Sequence, residues 1–220
     1  MINQSQRDFL ELLVRRQALR FGEFTLKSGR KSPYFINTGS FHMGGDLARL
    51  GSAYAATIRE RFGSDVQVVF GPAYKGIPLA LATAAAYESL VGRPIGWTFD
   101  RKEAKDHGDG GLFVGHPLTA GVRVVLVDDV ITDGRAKREA VEKLKPTGVD
   151  IVGLVVAFDR EEPGLDGRPA LAAFAADAGI PSAAVLRISE AASYLASHDL
   201  DGRRHLDAER YAQILAHLGR

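Results

Sequence analysis

Two adjacent carboxylates follow an apolar stretch in the second half of the chain. Residues 122–127 read Val-Arg-Val-Val-Leu-Val, the composition of a buried strand, and Asp128 and Asp129 come directly after it. Neighbouring acids at a half-buried strand end repel each other and lose hydration, so they need hydroxyl donors or a cation close by. A ribose diol with Mg²⁺ near it would meet that need. The alternative is a solvated turn that binds nothing.

The polar turn after the two acids predicts an anion-binding position. Residues 130–136 read Val-Ile-Thr-Asp-Gly-Arg-Ala, and a helix is expected from Arg135. Backbone N–H groups at a helix N-terminus favour phosphate or carboxylate groups. The helix dipole contributes only about 0.3 to 2 kcal/mol, so several N–H groups must share the contact. In the alternative interpretation, Thr132 or Asp133 merely caps the helix.

A second apolar stretch ends in a glycine- and proline-rich turn. Residues 70–78 read Phe-Gly-Pro-Ala-Tyr-Lys-Gly-Ile-Pro. Gly71 and Gly76 allow a tight connection from strand to helix that brings the backbone close to a ligand. Lys75 can reach an anion bound there, although a lysine in such a turn can also simply be exposed.

Residues 101–111 combine both charge signs with three glycines, in the order Arg-Lys-Glu-Ala-Lys-Asp-His-Gly-Asp-Gly-Gly. The charges nearly cancel, so this is not a simple basic patch. The glycine and polar content predicts a mobile surface loop. Composition alone leaves open a solvated loop without a function.

The elements that must position these residues alternate along the chain. Predicted helices span residues 5–21, 46–62, 77–90, 135–144 and 208–218. Predicted strands span residues 24–26, 34–37, 66–70, 94–99, 122–127, 149–158 and 183–188. Apolar strands that alternate with helices are typical of an α/β protein with a central parallel sheet covered on both faces. In such sheets ligands bind at the carboxyl ends of the strands, where the candidate residues lie.

Composition excludes several classes of function. The 28 Lys and Arg nearly balance the 27 Asp and Glu, which speaks against a nucleic-acid-binding surface. The chain contains no cysteine, so disulfides, thiolate metal sites and a cysteine nucleophile are excluded, and a cytoplasmic location is expected. No apolar run has transmembrane length, and residues 1–16 lack the apolar core of a secretory signal, so no membrane association is expected.

Four segments together resemble the type I phosphoribosyltransferases, and among them the orotate phosphoribosyltransferases. The first is the apolar strand with two acids, two apolar residues and Thr-x-Gly. The others are Gly-Pro-Ala-Tyr-Lys-Gly-Ile-Pro at 71–78, Arg-Lys-Glu-x-Lys-x-His-Gly at 101–108 and Leu-Lys-Ser-Gly-Arg-x-Ser-Pro-x-Phe at 26–35. The chain departs from the family at Arg135, where the motif has Thr, and at Asp133, where it has a small residue.

The resemblance implies transfer of ribose 5-phosphate from phosphoribosyl pyrophosphate (PRPP) to orotate, giving orotidine 5′-monophosphate and pyrophosphate in pyrimidine (UMP) biosynthesis. It implies a single domain over residues 1–220, with about 1–40 in a small hood and about 64–190 in the α/β core. It also implies a homodimer in which the 101–111 loop reaches the partner's site. Mg²⁺ would be carried by PRPP or pyrophosphate near Asp128 and Asp129, without a direct protein ligand.

The resemblance also implies roles for individual residues. Lys105 would be catalytic, and a cis peptide is expected in the 71–76 turn, at Ala73–Tyr74. The residues implied to bind PRPP are Lys27, Tyr74, Lys75, Arg101, Lys102, Lys105, His107, Asp128, Asp129, Val130, Ile131, Thr132, Asp133, Gly134, Arg135 and Ala136. The residues implied to bind orotate are Lys27, Phe35, Ile36, Thr132 and Arg160.

Two other functions share parts of this pattern. A phosphoribosyltransferase for another base would share the acid pair but lack the 27–35 segment. A PRPP-binding regulator would keep the fold for binding alone, and should show a basic face or an added DNA-binding module.

Overall fold

The computed structural model describes residues 2–25, 29, 31–105, 111–132, 134–163 and 167–220, with the backbone alone at 104 and 105. The described helices are α1 Gln4–Arg15, α2 Gly44–Phe62, α3 Gly76–Val91, α4 Arg135–Leu144, α5 Ala170–Ala178, α6 Ile188–Ser197 and α7 Ala208–His217. The described strands are β1 Leu19–Thr25, β2 Lys31–Ile36, β3 Val68–Phe70, β4 Gly96–Lys105, β5 Gly111–Gly115, β6 Arg123–Val130, β7 Asp150–Asp159 and β8 Ser182–Arg187.

Six of these strands form one sheet in the order β5-β4-β3-β6-β7-β8. All neighbours are parallel except β4 and β5, which are antiparallel. The predicted α/β class with a central, mainly parallel sheet is confirmed. Strands β1 and β2 form a separate antiparallel hairpin. The carboxyl ends of β3, β6 and β7 lie side by side, because Phe70 pairs with Leu126 and Val130 with Phe158.

Alternation along the central strands assigns side chains to the two faces of the sheet. Val125 and Val127 of β6 pack in one buried cluster with residues of α1, α2, α3, α6 and α7. Val124 and Leu126 pack in a second cluster with residues of α4 and α5. Both faces are therefore covered, which explains why the strands are apolar on both sides.

The first helix is shorter than predicted. It begins at Gln4, one residue before the predicted start, and the side chain of Asn3 caps it by accepting a hydrogen bond from the Gln6 backbone N–H. It ends at Arg15 because Gln17 adopts a left-handed φ of 52°, and residues 19–21 belong to β1. Leu19 continues the helical spacing of Phe9, Leu12 and Leu13, which favoured a longer helix, but it is buried in the strand.

The predicted loop at 101–111 is partly wrong as well. Residues 101–105 continue β4 and Gly111 begins β5, since the two strands pair around Asp100–Phe113 and Lys105–Gly111. Residues 106–110 lie outside the described part of the chain. Elements β5, α5 and α6 were not predicted. Within the described ranges, no helix combines the length and apolar character needed to cross a membrane.

Candidate active site at the carboxyl edge of the sheet

The second acid of the pair, Asp129, is held by three donors from different parts of the chain. Strand β6 extends to Val130, so both acids lie at its carboxyl end and not beyond it. Oδ2 of Asp129 accepts hydrogen bonds from Lys75 Nζ and from Thr38 Oγ1, each at 2.7 Å. Its Oδ1 accepts from the Val130 backbone at 2.7 Å. Asp129 therefore joins the turn after β3, the segment after β2 and the end of β6.

The first acid, Asp128, contacts side chains that are buried in the protein. Its Oδ2 lies 2.5 Å from Lys137 Nζ, and its Oδ1 accepts from the Asp129 backbone at 2.9 Å. Its backbone oxygen accepts from the buried Tyr54 hydroxyl at 2.6 Å. The two neighbouring carboxylates thus have separate cations, Lys137 for Asp128 and Lys75 for Asp129.

These different partners move the pKa values of the two acids in opposite directions. Burial raises the pKa of Asp128 above its ordinary value, and the Lys137 ammonium offsets only part of that effect. Burial acts in the same direction on Asp129, but hydrogen bonds from Lys75, Thr38 and the Val130 backbone prevail and lower its pKa. Asp129 therefore has the lower pKa of the two acids.

The turn after β3 is tightly folded. A Cβ on Gly71 would lie 2.0 Å from the backbone oxygen of Gly76, so a side chain cannot be accommodated there. The peptide Ala73–Tyr74 is cis, which confirms the prediction. The Ala73 N–H donates to Asp100 Oδ1 at 2.9 Å, and the other oxygen of Asp100 pairs with Lys143. Asp100 thus fixes this turn from within β4.

Gly71→Ala is expected to lower the free energy of unfolding by about 1 to 3 kcal/mol, because an added methyl in a filled site forces the backbone apart. Urea denaturation followed by circular dichroism measures the change. Gly44→Ala is the control, because a Cβ there meets nothing within 4 Å. Equal stability of the two variants would contradict the close packing of the turn.

The side chains of β4 and of the turn after β3 meet within one chain. Lys102 Nζ lies 4.8 Å from the ring centroid of Tyr74, a cation–π distance. Tyr74 is 65% exposed. Arg101 donates to the Gly111 backbone at 3.0 Å across the β4–β5 hairpin. Two of the predicted motifs therefore lie side by side at this edge of the sheet.

The predicted anion-binding turn, residues 130–136, opens α4. Gly134 takes a left-handed φ of 71° at the start of the helix, a conformation that suits glycine. Ile131 is buried, whereas Thr132 and Ala136 are exposed. Arg135, at the position where the family motif has Thr, has an 82% exposed side chain and contacts Glu139 at 2.9 Å along the helix. The Arg135 side chain thus lies along the helix surface, beside Glu139.

The predicted base-binding residues lie on β2 and after β7. Phe35 packs against Phe24 with ring centroids 5.5 Å apart, and Arg20 lies 5.1 Å from the Phe35 ring. Ile36 is half-buried at the end of β2. The Tyr34 hydroxyl donates to the Arg160 backbone oxygen at 2.8 Å, which joins β2 to the end of β7.

Arg160 is held by a buried acid. Its Nη2 lies 2.6 Å from Glu162 Oε1, and that oxygen also lies 3.4 Å from His217 Nε2 in α7. Burial would raise the pKa of Glu162, but the Arg160 guanidinium and hydrogen bonds from Arg160 and His217 lower it. The Nε of Arg160 is buried without a hydrogen-bond partner among the described residues.

A cavity of about 350 Å³ adjoins Asp129. Lys75 and Thr38 line its polar side, together with Asp129 itself. Apolar residues of α2 and α3 line the other side, among them Leu47, Leu50 and Leu79. The acid at the end of β6 is therefore accessible from a concave surface, as a ligand site requires.

Some predicted site residues cannot be placed. Lys27, His107 and Asp133 lie outside the described residues, and so does the side chain of Lys105. Their roles stay predictions from the resemblance.

Sequence reasoning missed several residues that hold the site together. They are Thr38, Tyr54, Asp100, Lys137 and Glu162. Asp100 could have been recognised from the sequence, because it is an acid directly after the predicted strand at residues 94–99. Lys137 also had one, because it shares the apolar stripe of α4 with Ala140, Val141 and Leu144, all buried. Thr38 and Tyr54 had none.

Comparison with known proteins identifies the family. A family model described as phosphoribosyl transferase domain matches residues 38–168. The chain is 52% identical over 189 residues to the orotate phosphoribosyltransferase of Bifidobacterium adolescentis, which covers 83% of this chain and 82% of that protein. It is 47% identical over 190 residues to that of Aeromonas salmonicida, with 86% of each chain covered.

Solved structures of orotate phosphoribosyltransferases are also similar to this chain. The crystal structure of Francisella tularensis orotate phosphoribosyltransferase superposes with a TM-score of 0.78 at 38% identity, covering 94% of this chain and 97% of that one. The Mycobacterium tuberculosis orotate phosphoribosyltransferase in complex with PRPP superposes with a TM-score of 0.62 at 27% identity, covering 84% of this chain and 98% of that one. On these matches the chain belongs to the phosphoribosyltransferase family, among the orotate phosphoribosyltransferases.

Proposed function

We propose that this chain transfers the ribose 5-phosphate group of PRPP to orotate, giving orotidine 5′-monophosphate and pyrophosphate for pyrimidine biosynthesis. The observation that carries the proposal is the convergence at one sheet edge of Asp129, Lys75 and the turn that opens α4. This arrangement occurs on a chain that is 52% identical to a named orotate enzyme. A phosphoribosyltransferase for another base lacks comparable support.

PRPP would lie across this edge with its charged groups on three elements. The ribose hydroxyls would donate to Asp129, with Asp128 behind it. The 5′-phosphate would bind the N–H groups of residues 132–136 in the turn that opens α4, where the helix N-terminus favours an anion. The pyrophosphate would contact Tyr74 and Lys75. Lys75 is 69% exposed, so its side chain can leave Asp129 and follow the pyrophosphate.

Further cations of the β4–β5 hairpin would complete the pyrophosphate contacts. Lys102 already lies beside Tyr74. Arg101, Lys105 and His107 are the other candidates, and Lys27 would reach both substrates. Positive charge placed on the leaving group accelerates the reaction where it stabilises the transition state more than the bound substrate.

Orotate would bind between β2 and the end of β7. Its carboxylate suits Arg160, whose planar guanidinium can bind two oxygens. The Nε of Arg160 is buried and has no acceptor among the described residues, which supports this assignment because such a group needs an acceptor. The backbones of Phe35 and Ile36 would contact the pyrimidine, and Thr132 would lie between orotate and PRPP.

The reaction would be a displacement at the anomeric carbon of PRPP. A ring nitrogen of orotate forms the new bond while the bond to pyrophosphate breaks, with inversion and an oxocarbenium-like transition state. Orotate would react with this nitrogen deprotonated, its proton having passed to solvent, so no dedicated base is expected. Closure of the 101–111 segment would exclude water that otherwise hydrolyses PRPP.

The acid pair also fits Mg²⁺ carried by the substrate. Mg²⁺ keeps several waters and is usually held by one or two carboxylates together with substrate phosphates. Both oxygens of Asp129 already accept protein hydrogen bonds, which suits an indirect contact through water. When bound, the ion would neutralise charge on the pyrophosphate. No cluster of three or more metal-binding side chains occurs in the described part of the chain.

A direct assay tests the activity. The purified protein is incubated with PRPP, Mg²⁺ and orotate, and the change in orotate absorbance is followed, with uracil and adenine as control bases. Consumption of orotate alone is expected. Turnover of another base would support a different specificity, and binding of PRPP by calorimetry without any turnover would support the regulatory alternative. The cytoplasmic location stays a prediction from the cysteine-free composition.

We further propose a homodimer in which residues 101–111 of one protomer reach the site of the other. The resemblance supports it, because the motif at residues 101–108 is the one implied to reach the partner's site.

Mixing two inactive variants tests the sharing of sites. Lys105→Ala and Asp129→Asn proteins are combined, dissociated mildly and reassociated. A hybrid dimer with shared sites carries both changes in one site and none in the other, so activity should rise well above the sum of the separate variants. Each variant taken through the same steps alone is the control. If the mixture gains nothing, Lys105 acts within its own protomer.

A further inference from the structure

Lys137, in the first turn of α4, places a buried ammonium beside the acid pair. The residue is 7% exposed. Its Nζ lies 2.5 Å from Asp128 Oδ2 and donates to the backbone oxygen of Val130 at 2.6 Å. Both acceptors belong to the end of β6. One side chain therefore joins the helix after the anion-binding turn to the strand before it.

A lysine at this position is unfavourable for the helix alone. The N-terminal end of a helix carries partial positive charge, which disfavours a cation in the first turn. The first turn of α4 contains no acid to offset it. A buried ammonium is also destabilised by several kcal/mol through its loss of hydration unless it is well paired. The neighbours on the same stripe, Ala140, Val141 and Leu144, are apolar, so an apolar residue would fit the packing.

Lys75 and Lys137, the two lysines that pair with Asp129 and Asp128, differ in the exposure of their side chains. The Lys75 side chain is 69% exposed and lies on the turn proposed to bind pyrophosphate. The Lys137 side chain is 9% exposed and has two acceptors on one strand end. If PRPP drew Lys75 away from Asp129, Lys137 would still be paired with Asp128.

We propose that Lys137 is a positioning residue for PRPP, which fixes Asp128 against the turn 130–136 and balances the carboxylate pair while Lys75 contacts the ligand. The proposal rests on the proposed function. It assigns Asp128 mainly to the Lys137 pair and leaves Asp129 as the acid that meets the sugar. Arg135 does not share this role, because its side chain extends along the surface to Glu139.

Lys137→Met removes the ammonium and nearly keeps the volume. KM for PRPP is expected to rise by about 10- to 100-fold, the scale of removing one hydrogen bond to a charged group. KM for orotate should stay within about twofold, because orotate binding in the ground state does not depend on the Lys137 ammonium. The matched control is Lys145→Met, since Lys145 makes a similar 2.6 Å pair with Glu142 but is 62% exposed.

The result distinguishes the proposal from the activity it rests on. An inactive parent protein overturns the proposed function. With an active parent, the proposal is overturned if KM for PRPP is unchanged in Lys137→Met, or if KM for orotate rises equally. A purely structural role would reduce the active fraction, and hence kcat, without a selective change in one KM.

Chemical rescue covers the case in which Lys137→Met does not fold. The chain has no cysteine, so Lys137→Cys creates a unique thiol. One sample of the variant is alkylated in urea with 2-bromoethylamine, which restores an ammonium group at the side chain. A second sample is alkylated with iodoacetamide, which gives a neutral side chain. Both samples are then refolded beside the parent protein. The aminoethylated protein should have a KM for PRPP about tenfold or more below that of the neutral adduct. Equal KM values, or refolding of neither adduct while the parent refolds, overturn the proposal.

Discussion

Asp129→Asn is expected to lower kcat/KM for PRPP by about 10²- to 10³-fold, the scale of losing one preorganised charged contact. Asn keeps the volume and one oxygen for the Val130 N–H. It loses the negative charge that Lys75 and Thr38 share at 2.7 Å and that the ribose hydroxyls would meet. Steady-state kinetics with varied PRPP measures the effect.

The control for this variant is Asp150→Asn. Asp150 begins β7, at the opposite end of the sheet, and pairs with Arg123 at 2.9 Å while 52% exposed. Its substitution should leave kcat/KM within about twofold of the parent, since exposed ion pairs contribute little. If both variants behave alike, Asp129 does not bind the sugar.

Lys105→Ala is expected to lower kcat by about 10²- to 10³-fold, through loss of a cation that stabilises the leaving pyrophosphate. Lys105 is the last residue of β4, and its backbone pairs with Gly111 across the hairpin. The measurement is kcat at saturating PRPP and orotate. KM for orotate should change little, because Lys105 would act on the leaving group.

Lys145→Ala serves as the comparison, because Lys145 is 62% exposed and pairs with Glu142 at the surface. Turnover near that of the parent in Lys105→Ala would refute the assignment of residues 101–111 to catalysis.

The parts of the site that the sequence predicted are those encoded in consecutive residues. The acid pair, the 71–78 turn and the start of α4 at Arg135 each depend on local order, and the structure places them at one sheet edge. Alternation of apolar strands with helices was enough for the α/β class. Local patterns carry this information because backbone conformation and burial follow periodicity.

Contacts between distant segments could not be predicted in this way. The Thr38–Asp129 bond joins residues 91 positions apart, and Tyr34 reaches Arg160 across 126 positions. Neither Thr38 nor Tyr34 stands in a local pattern that would indicate its partner. Helix α5 was missed because its alanine-rich sequence, Ala170–Ala178, lacks a charged face to reveal its period. The end of α1 was predicted too late because Leu19 kept the helical spacing although it lies in β1.

The outward position of Arg135 has a consequence for how this motif varies among species. Amide N–H groups are supplied by every residue except proline, so a turn that relies on them tolerates a change of side chain at its last positions. An arginine that lies on the surface can therefore stand at this position in place of a threonine, as it does in this chain. Searches that demand a hydroxyl at this position would overlook such enzymes, whereas searches for the acid pair and the glycine would retain them.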